Sequence, residues 1–239
     1  MLLLTVFLSL LSSCLPEIVK LNHYPFIATL GYGNNRNFCG GSFVSERVFL
    51  TAASCMTGLK LEEIFSEMYV ESFPNKYKVQ NIITHPQFDA DECDSPDLAL
   101  LYLKQPTLFS IMLSIMTLKP NLPISIGSIS QNAIVFAIYI DTGAKHAFMK
   151  ELLTVTSEEG FCDSTEGTFC AKNINPSNPC VNTFGGPVIN TDKELVGIIP
   201  YDAKCMSSHA EEFIRLSYYK KWIKDTVKKL TSARCNLGF

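Results

Sequence analysis

The chain has 239 residues, of which 47% are hydrophobic and 18% charged, and its formal net charge at pH 7 is −3. This length is enough to bury a core in one globular unit or in two closely packed domains. A net charge this small argues against binding to nucleic acid or to a membrane surface through bulk electrostatics.

The N-terminus carries an apolar run. Residues 1–11 are apolar except for Thr5 and Ser9, and small residues follow up to Cys14. This pattern predicts a secretory signal peptide over residues 1–14, too short to span a membrane, although no basic residue marks its start. Residues 15–239 are therefore expected to form a secreted, extracellular protein.

The chain contains nine cysteines, a number typical of secreted proteins. Removal of Cys14 with the signal peptide leaves eight, which suits four disulfide bonds. No Cys-x-x-Cys or His-Glu-x-x-His spacing indicates a metal site, and no motif indicates a cofactor.

The body of the chain consists of short β segments separated by turn residues. Strands are predicted at 26–30, 42–50, 78–83, 98–103, 133–140 and 195–199. Many short strands with Gly, Pro, Asn and Asp between them favour an all-β sandwich or barrel.

The C-terminus has a different periodicity. Apolar residues at 222, 223, 227 and 230 recur at helical spacing, which predicts an amphipathic helix over roughly 217–231 that docks on the β body. Ser217 is predicted to be its N-cap. The lysines at 220, 221, 224, 228 and 229 are interpreted as a solvated helix face.

Three groups of motifs, taken together and in order, indicate a family. The first is Cys-Gly-Gly-Ser at 39–42 with Leu-Thr-Ala-Ala-Ser-Cys at 50–55. The second is His-Pro-Gln-Phe-Asp at 85–89 with Asp-Leu-Ala-Leu-Leu at 97–101. The third is Cys-Val-Asn-Thr-Phe-Gly-Gly-Pro at 180–187 with Leu-Val-Gly-Ile at 195–198. In order and spacing they resemble the trypsin-like, chymotrypsin-fold serine proteases, across essentially the whole chain after the signal peptide.

The resemblance implies two antiparallel β-barrels packed side by side, the first over roughly 18–105 and the second over roughly 106–215, with a cleft between them. It also implies three disulfide bonds, which join Cys39 to Cys55, Cys162 to Cys170, and Cys180 to Cys205. Cys93 and Cys235 remain. They either pair with each other or form a bond to another molecule.

The catalytic positions of the family are altered in this chain. Active relatives use a serine nucleophile, a histidine base and a buried aspartate. Asp97 matches the aspartate, but Ser54 stands at the histidine position and Phe184 at the nucleophile position. A phenyl ring has no lone pair to attack a carbonyl, and a serine hydroxyl is no base near neutral pH. His85 lies in a stretch common to active members, where its role looks structural.

Other family features are altered as well. Asn182 replaces a glycine of the oxyanion hole, and Thr183 replaces the aspartate that pairs with the newly freed Ile-Val amine. Glu17 precedes Ile18-Val19 where a cleavable basic residue is expected. The specificity-pocket positions that differ from the family pattern are Asn178, Pro179, Pro200, Tyr201, Asp202 and Glu211.

These substitutions favour a pseudoprotease that binds a protein partner and modulates a proteolytic or immune cascade such as complement. The chain is similar in this respect to the inactivated paralogues of mite group 3 allergens, which are associated with interference in host complement. One alternative is residual or non-standard serine hydrolase activity, and another is a degenerate family member without a specific partner. A buried Asp97 needs hydrogen-bond donors, and Ser54 is predicted to supply one.

Overall fold

The computed structural model describes residues 17–19, 24–33, 38–72, 75–92, 95–107, 126–129, 132–140, 146–156, 165–173, 184–200 and 211–232. The predicted signal peptide lies outside these residues. Across the described ranges, no helix is long and apolar enough to cross a membrane.

The described residues form thirteen strands, two α-helices and one 3-10 turn. The strands are β1 (Glu17–Val19), β2 (Ile27–Tyr32), β3 (Cys39–Phe43), β4 (Val48–Thr51), β5 (Met68–Ser72), β6 (Asn75–Thr84), β7 (Ala99–Leu103), β8 (Asn132–Ile140), β9 (His146–Thr156), β10 (Thr168–Asn173), β11 (Pro187–Asn190), β12 (Leu195–Ile198) and β13 (Glu211–Arg215). The 3-10 turn is Ala53–Met56, and the helices are α1 (Leu61–Glu67) and α2 (Leu216–Ser232).

The first barrel is a closed antiparallel sheet in the order β2-β3-β4-β7-β6-β5. Large apolar side chains on both faces of its strands are almost completely inaccessible, among them Leu30, Phe49, Leu50, Leu100 and Leu101. Strand β7 is buried along its whole length, because one face points into the barrel and the other is covered by elements that include the C-terminal helix. Closure leaves no unpaired strand edge, which removes a site of aggregation.

The second barrel is also a closed antiparallel sheet. Its strands run in the order β9-β10-β13-β12-β11-β8, and β8 also pairs with β9, so the sheet returns on itself. Strand β1 extends it by pairing with β9 through Glu17↔Lys150 to Val19↔Phe148. The predicted all-β fold of two packed antiparallel barrels with a C-terminal helix is thus confirmed.

The predicted single strand at 42–50 is wrong. The chain instead turns at residues 44–47, and strands β3 and β4 pair as a hairpin through Ser42↔Leu50 and Phe43↔Phe49. The side chain of Ser45 explains the break, because its Oγ accepts the backbone N–H of Val48 at 3.1 Å and stabilises a local turn.

Helix α2 docks on the β body through one face. The residues of this face are Leu216, Tyr219, Ile223, Thr226 and Leu230. The predicted N-cap at Ser217 is wrong, because β13 leads directly into the helix at Leu216 and Ser217 lies within its first turn. Lys220 does not belong to a purely solvated face either, since its Nζ donates to the carbonyl oxygen of Ile126 at 2.7 Å.

Helix α1 was not predicted from the sequence. Its signals are present but short: acidic residues in the first turn and a buried Ile64 between more exposed neighbours. Leu61 and Phe65 flank Ile64 with 65% and 39% of their surfaces exposed. One buried side chain in seven residues is too weak a periodicity to distinguish a helix from a loop.

Candidate functional site

Ser54 and Asp97, the residues predicted at the family's histidine and aspartate positions, are directly joined in the structure. Ser54 Oγ donates to Asp97 Oδ2 at 2.6 Å, and the Ser54 backbone N–H donates to Asp97 Oδ1 at 2.8 Å. Asp97 has only 6% of its surface exposed. The predicted hydrogen bond from Ser54 is therefore present, and a second bond from the backbone accompanies it.

The 3-10 turn that carries Ser54 is held against the first barrel by two neighbours. The disulfide Cys39–Cys55 joins the start of β3 to the residue after Ser54. Thr51, the last residue of β4, donates its hydroxyl to the Gly40 carbonyl oxygen at 2.7 Å. These links on both sides of the turn fix the position of the Ser54 backbone, which lets its N–H reach the carboxylate.

Phe184 is the residue predicted at the position of the family nucleophile. Its side chain is half-buried and packs against the main apolar core. Its carbonyl oxygen accepts the backbone N–H of Gly40 at 2.7 Å, which anchors the segment to strand β3. This position therefore lies at the contact between the two barrels and presents an aromatic ring instead of a hydroxyl group.

Gly185 makes the approach of the two barrels possible. Its backbone has φ of +76°, in the left-handed region. A Cβ at this position would overlap Thr51 Oγ1 and the Gly40 carbonyl oxygen. The Gly185 N–H also donates to the Ile199 carbonyl oxygen at 2.7 Å. Only glycine fits both the backbone angle and the available space.

His85 has a packing role in this structure. Its surface is 7% exposed, and its ring meets Tyr219 and Trp222 of helix α2 edge to face, with centroids 5.2 Å and 4.8 Å away. Burial lowers the pKa of His85 below its ordinary value, so the neutral ring is favoured. Its Nδ1 accepts the Gln87 backbone N–H at 3.3 Å, which leaves the proton on Nε2. These contacts agree with the structural role expected for His85.

The disulfide between Cys39 and Cys55 is confirmed. Cys170 is also disulfide-bonded, but Cys162, its expected partner, lies outside the described residues. The other predicted cysteines lie outside them too, namely Cys93, Cys180, Cys205 and Cys235. Their pairing remains a prediction.

Most of the altered pocket and oxyanion positions also lie outside the described residues, namely Asn178, Pro179, Asn182, Thr183, Tyr201 and Asp202. Two positions are described in part. Pro200 is half-buried just after β12, and Glu211 is the first residue of β13, where it pairs with Ala171. In the described part of the chain, no group of three or more His, Cys, Asp or Glu residues could hold a metal ion.

The sequence did not indicate a groove that the structure forms beside helix α2. It has a volume of about 640 Å³ and lies between the end of β6 with the following turn, at Ile83, Thr84 and Pro86, and the second half of α2. The feature of the sequence that could have indicated the groove was the predicted helical face that contains Trp222. The element that it faces is more than 130 residues away in the sequence, so the pattern alone could not reveal the groove.

Comparison with known proteins agrees with this geometry. The family model described as Trypsin matches residues 18–223. Trypsin 5G1 of Aedes aegypti is 24% identical over 225 residues, which cover 87% of this chain and 82% of that protein.

Solved structures show the same fold. The scabies mite inactivated protease paralogue S-I1 superposes with a TM-score of 0.67 at 20% identity, over 90% of this chain and 99% of that one. Kallikrein-related peptidase 10, in a complex with Zn²⁺, gives a TM-score of 0.65 at 22% identity, over 88% and 99% of the two chains. At these identities the superpositions establish the fold and do not separate active from inactive relatives.

Proposed function

This chain belongs to the trypsin family, and we propose that it keeps the fold of these proteases without their catalysis and acts outside the cell by binding another protein. The observation that carries the proposal is the bond between Ser54 and Asp97. In the family mechanism the aspartate orients a histidine, and the histidine removes a proton from the nucleophile. Here the carboxylate receives two hydrogen bonds from Ser54 instead.

Neither remaining group can replace the lost chemistry. The Ser54 hydroxyl donates to a buried carboxylate, and a neutral hydroxyl is far too weak a base to activate a nucleophile at neutral pH. Phe184 offers only an aromatic ring. In another protease, loss of the nucleophile or the base alone lowers turnover by about 10⁶-fold.

A rescue by the nearby histidine is also disfavoured. His85 is enclosed by Tyr219 and Trp222, and its Nδ1 already accepts a hydrogen bond. A general base must come within hydrogen-bond reach of the proton that it removes. Moving His85 to the cleft would break the contacts that seat helix α2 on the first barrel.

The test of inactivity is labelling with a fluorophosphonate, which reacts with activated serines, beside hydrolysis of a set of fluorogenic peptides. We expect no labelling and no hydrolysis above the blank, while an active trypsin run in parallel is labelled and cleaves. A labelled serine in this chain would support the residual-hydrolase alternative and overturn the proposal.

A binding role is supported by what the chain retains. The disulfide Cys39–Cys55, the glycine at 185 and both closed barrels preserve the shape of the family. The likeness to an inactivated mite protease paralogue is one of fold only. The proposal that the partner belongs to a proteolytic or immune cascade, with complement as the first to test, rests on the sequence resemblance to inactivated family members and not on this superposition.

The partner is sought by affinity capture from blood plasma. The mature protein, with residues 1–14 removed as a proposed signal peptide, serves as bait, and a chemically blocked active trypsin serves as control. Selective recovery of complement or clotting components supports a cascade modulator. If the bait recovers nothing beyond the control, the proposed action on a plasma cascade is wrong.

A further inference from the structure

We propose that the groove between strand β6 and helix α2 binds an acidic segment of a protein partner through a large apolar side chain. This inference rests on the proposed function, because it identifies a surface with which an inactive family member would bind. The groove is separate from the altered catalytic positions, since Ser54, Asp97 and Phe184 do not line it.

The groove has an apolar part, which we call its floor. It consists of Ile83 and Trp222, which are half-buried, and Pro86, which is exposed. The volume of about 640 Å³ lies within the range of sites that accept small ligands and anchoring side chains. The ring of Trp222 packs edge to face against His85, with the centroids 4.8 Å apart. An apolar surface of this kind favours an aromatic or branched aliphatic anchor.

The rim of the groove is cationic. Lys228 and Lys229 line it, both exposed, and neither makes an ion pair with another residue of the described part of the chain. The acidic residue of the lining, Asp225, is engaged by Lys221 at 2.7 Å. A hydrogen bond and the charge of Lys221, with a smaller contribution from Lys228, lower the pKa of Asp225. Asp225 is thus ionised and pairs with Lys221, and it offsets only part of the positive charge that Lys228 and Lys229 present to an anionic partner.

The charge of the helix strengthens this attraction. Helix α2 carries five lysines and one aspartate, a net charge of +4, whereas the whole chain carries −3. Such an asymmetry steers acidic partners toward one face of the molecule. The acidic residues that follow Pro86 in the sequence, Asp89, Asp91 and Glu92, do not line the groove.

The combination of features identifies the class of partner. A sulfated polysaccharide would bind a dense group of cations and make no use of the apolar floor. An anionic membrane would need an apolar surface that protrudes, whereas the groove is concave. An acidic peptide with an apolar anchor uses both the rim and the floor. From Trp222 to Ser232 the helix rises roughly 15 Å, which matches about five residues of extended chain.

The experiment uses the fact that Trp222 is the single tryptophan of the chain. The probe is the blocked peptide Glu-Glu-Phe-Leu-Glu-Glu, titrated into the full mature protein at 0.15 M NaCl while the tryptophan emission is recorded. We expect a saturable change in emission. We also expect the same peptide with serine in place of phenylalanine and leucine, or with lysine in place of glutamate, to bind at least about tenfold more weakly.

Variants localise the site. Lys228→Glu with Lys229→Glu is expected to weaken binding by about tenfold or more, because attraction becomes repulsion. Lys78→Glu with Lys104→Glu is the matched control: it changes the same amount of charge at two exposed, neighbouring lysines outside the groove. Lys78 lies roughly 20 Å from Thr84 along β6, beyond the screening length at this salt concentration, so we expect less than about a threefold effect. Ser232→Phe partly fills the groove without changing charge, and it should also weaken binding.

Several results would overturn the inference: no emission change with the peptide, an equal loss on Lys78→Glu with Lys104→Glu, or equal binding of the serine-substituted peptide. Tighter binding of a heparin fragment or of phosphatidylserine vesicles would assign the groove to another class of ligand. Each of these leaves the proposed inactivity intact, because fluorophosphonate labelling tests that separately.

Discussion

Ser54 donates two hydrogen bonds to Asp97, one to each carboxylate oxygen: the hydroxyl donates at 2.6 Å and the backbone N–H at 2.8 Å. The backbone donor would be available to any residue at this position, but the hydroxyl donor depends on the side chain. The pair explains how a buried carboxylate is accommodated where the family would place a histidine next to it.

The Ser54→Ala substitution tests the contribution of the hydroxyl. It removes one donor from a buried carboxylate, so we expect a loss of about 1–3 kcal/mol in the free energy of unfolding. Urea denaturation followed by circular dichroism measures it. Ser217→Ala, at an exposed position of helix α2, serves as control and should change stability by less than about 0.5 kcal/mol. Equal stabilities of Ser54→Ala and the parent would refute a stabilising role for this bond.

The Gly185→Ala substitution tests the packing between the barrels. The change places alanine in the left-handed backbone conformation, which costs about 1–2 kcal/mol. It also makes the new Cβ overlap Thr51 and Gly40, which costs about 1–3 kcal/mol more. Gly58→Ala is a close control, because Gly58 has φ of +81° but nothing within 4 Å of the added Cβ. Denaturant unfolding of both should show the larger loss for Gly185→Ala. Equal losses would mean that the overlap is relieved at no cost.

The buried histidine predicts a pH dependence of stability. Burial lowers the pKa of His85 in the folded state, so the unfolded chain binds the proton more readily. The contribution of neutral His85 is therefore complete above the unfolded-state value of about 6.5 and is lost as the pH falls toward the lower folded-state value. Unfolding free energies measured from pH 8 to pH 5 should decline less steeply for His85→Phe, which keeps an aromatic ring. Parallel profiles of the two proteins would exclude His85 as the source.

Rebuilding the catalytic residues tests how far the inactivation extends. We expect Ser54→His with Phe184→Ser to remain at least about 10²-fold below an active trypsin in kcat/KM. The reason is that Thr183, at the predicted activation position, and the predicted pocket positions also differ from the family pattern, and misplacing a substrate by about 1 Å can cost about 10²-fold. Fluorogenic peptide hydrolysis measures the outcome, and the single Phe184→Ser variant is the control. Efficient cleavage by the double variant would show that the pocket is still competent.

The sequence by itself determined the family, the all-β class and the Cys39–Cys55 bond, and it supplied Ser54, Asp97 and Phe184 as the predicted catalytic positions. These features depend on short motifs, and the residues within each motif are covalent neighbours. The C-terminal helix was also predictable, since its buried face repeats every three or four residues.

Only the tertiary structure decided how those residues meet. Ser54 is 43 positions from Asp97. The two come together because β4 pairs antiparallel with β7, which places Thr51 opposite Ala99, and because the chain enters a 3-10 turn after β4. His85 became a packing residue because helix α2, which is more than 130 positions away, brings Tyr219 and Trp222 to its ring. The groove beside Trp222 likewise forms because helix α2 packs next to the end of β6. Contacts between distant segments depend on the relative placement of whole elements, and no local periodicity records that placement.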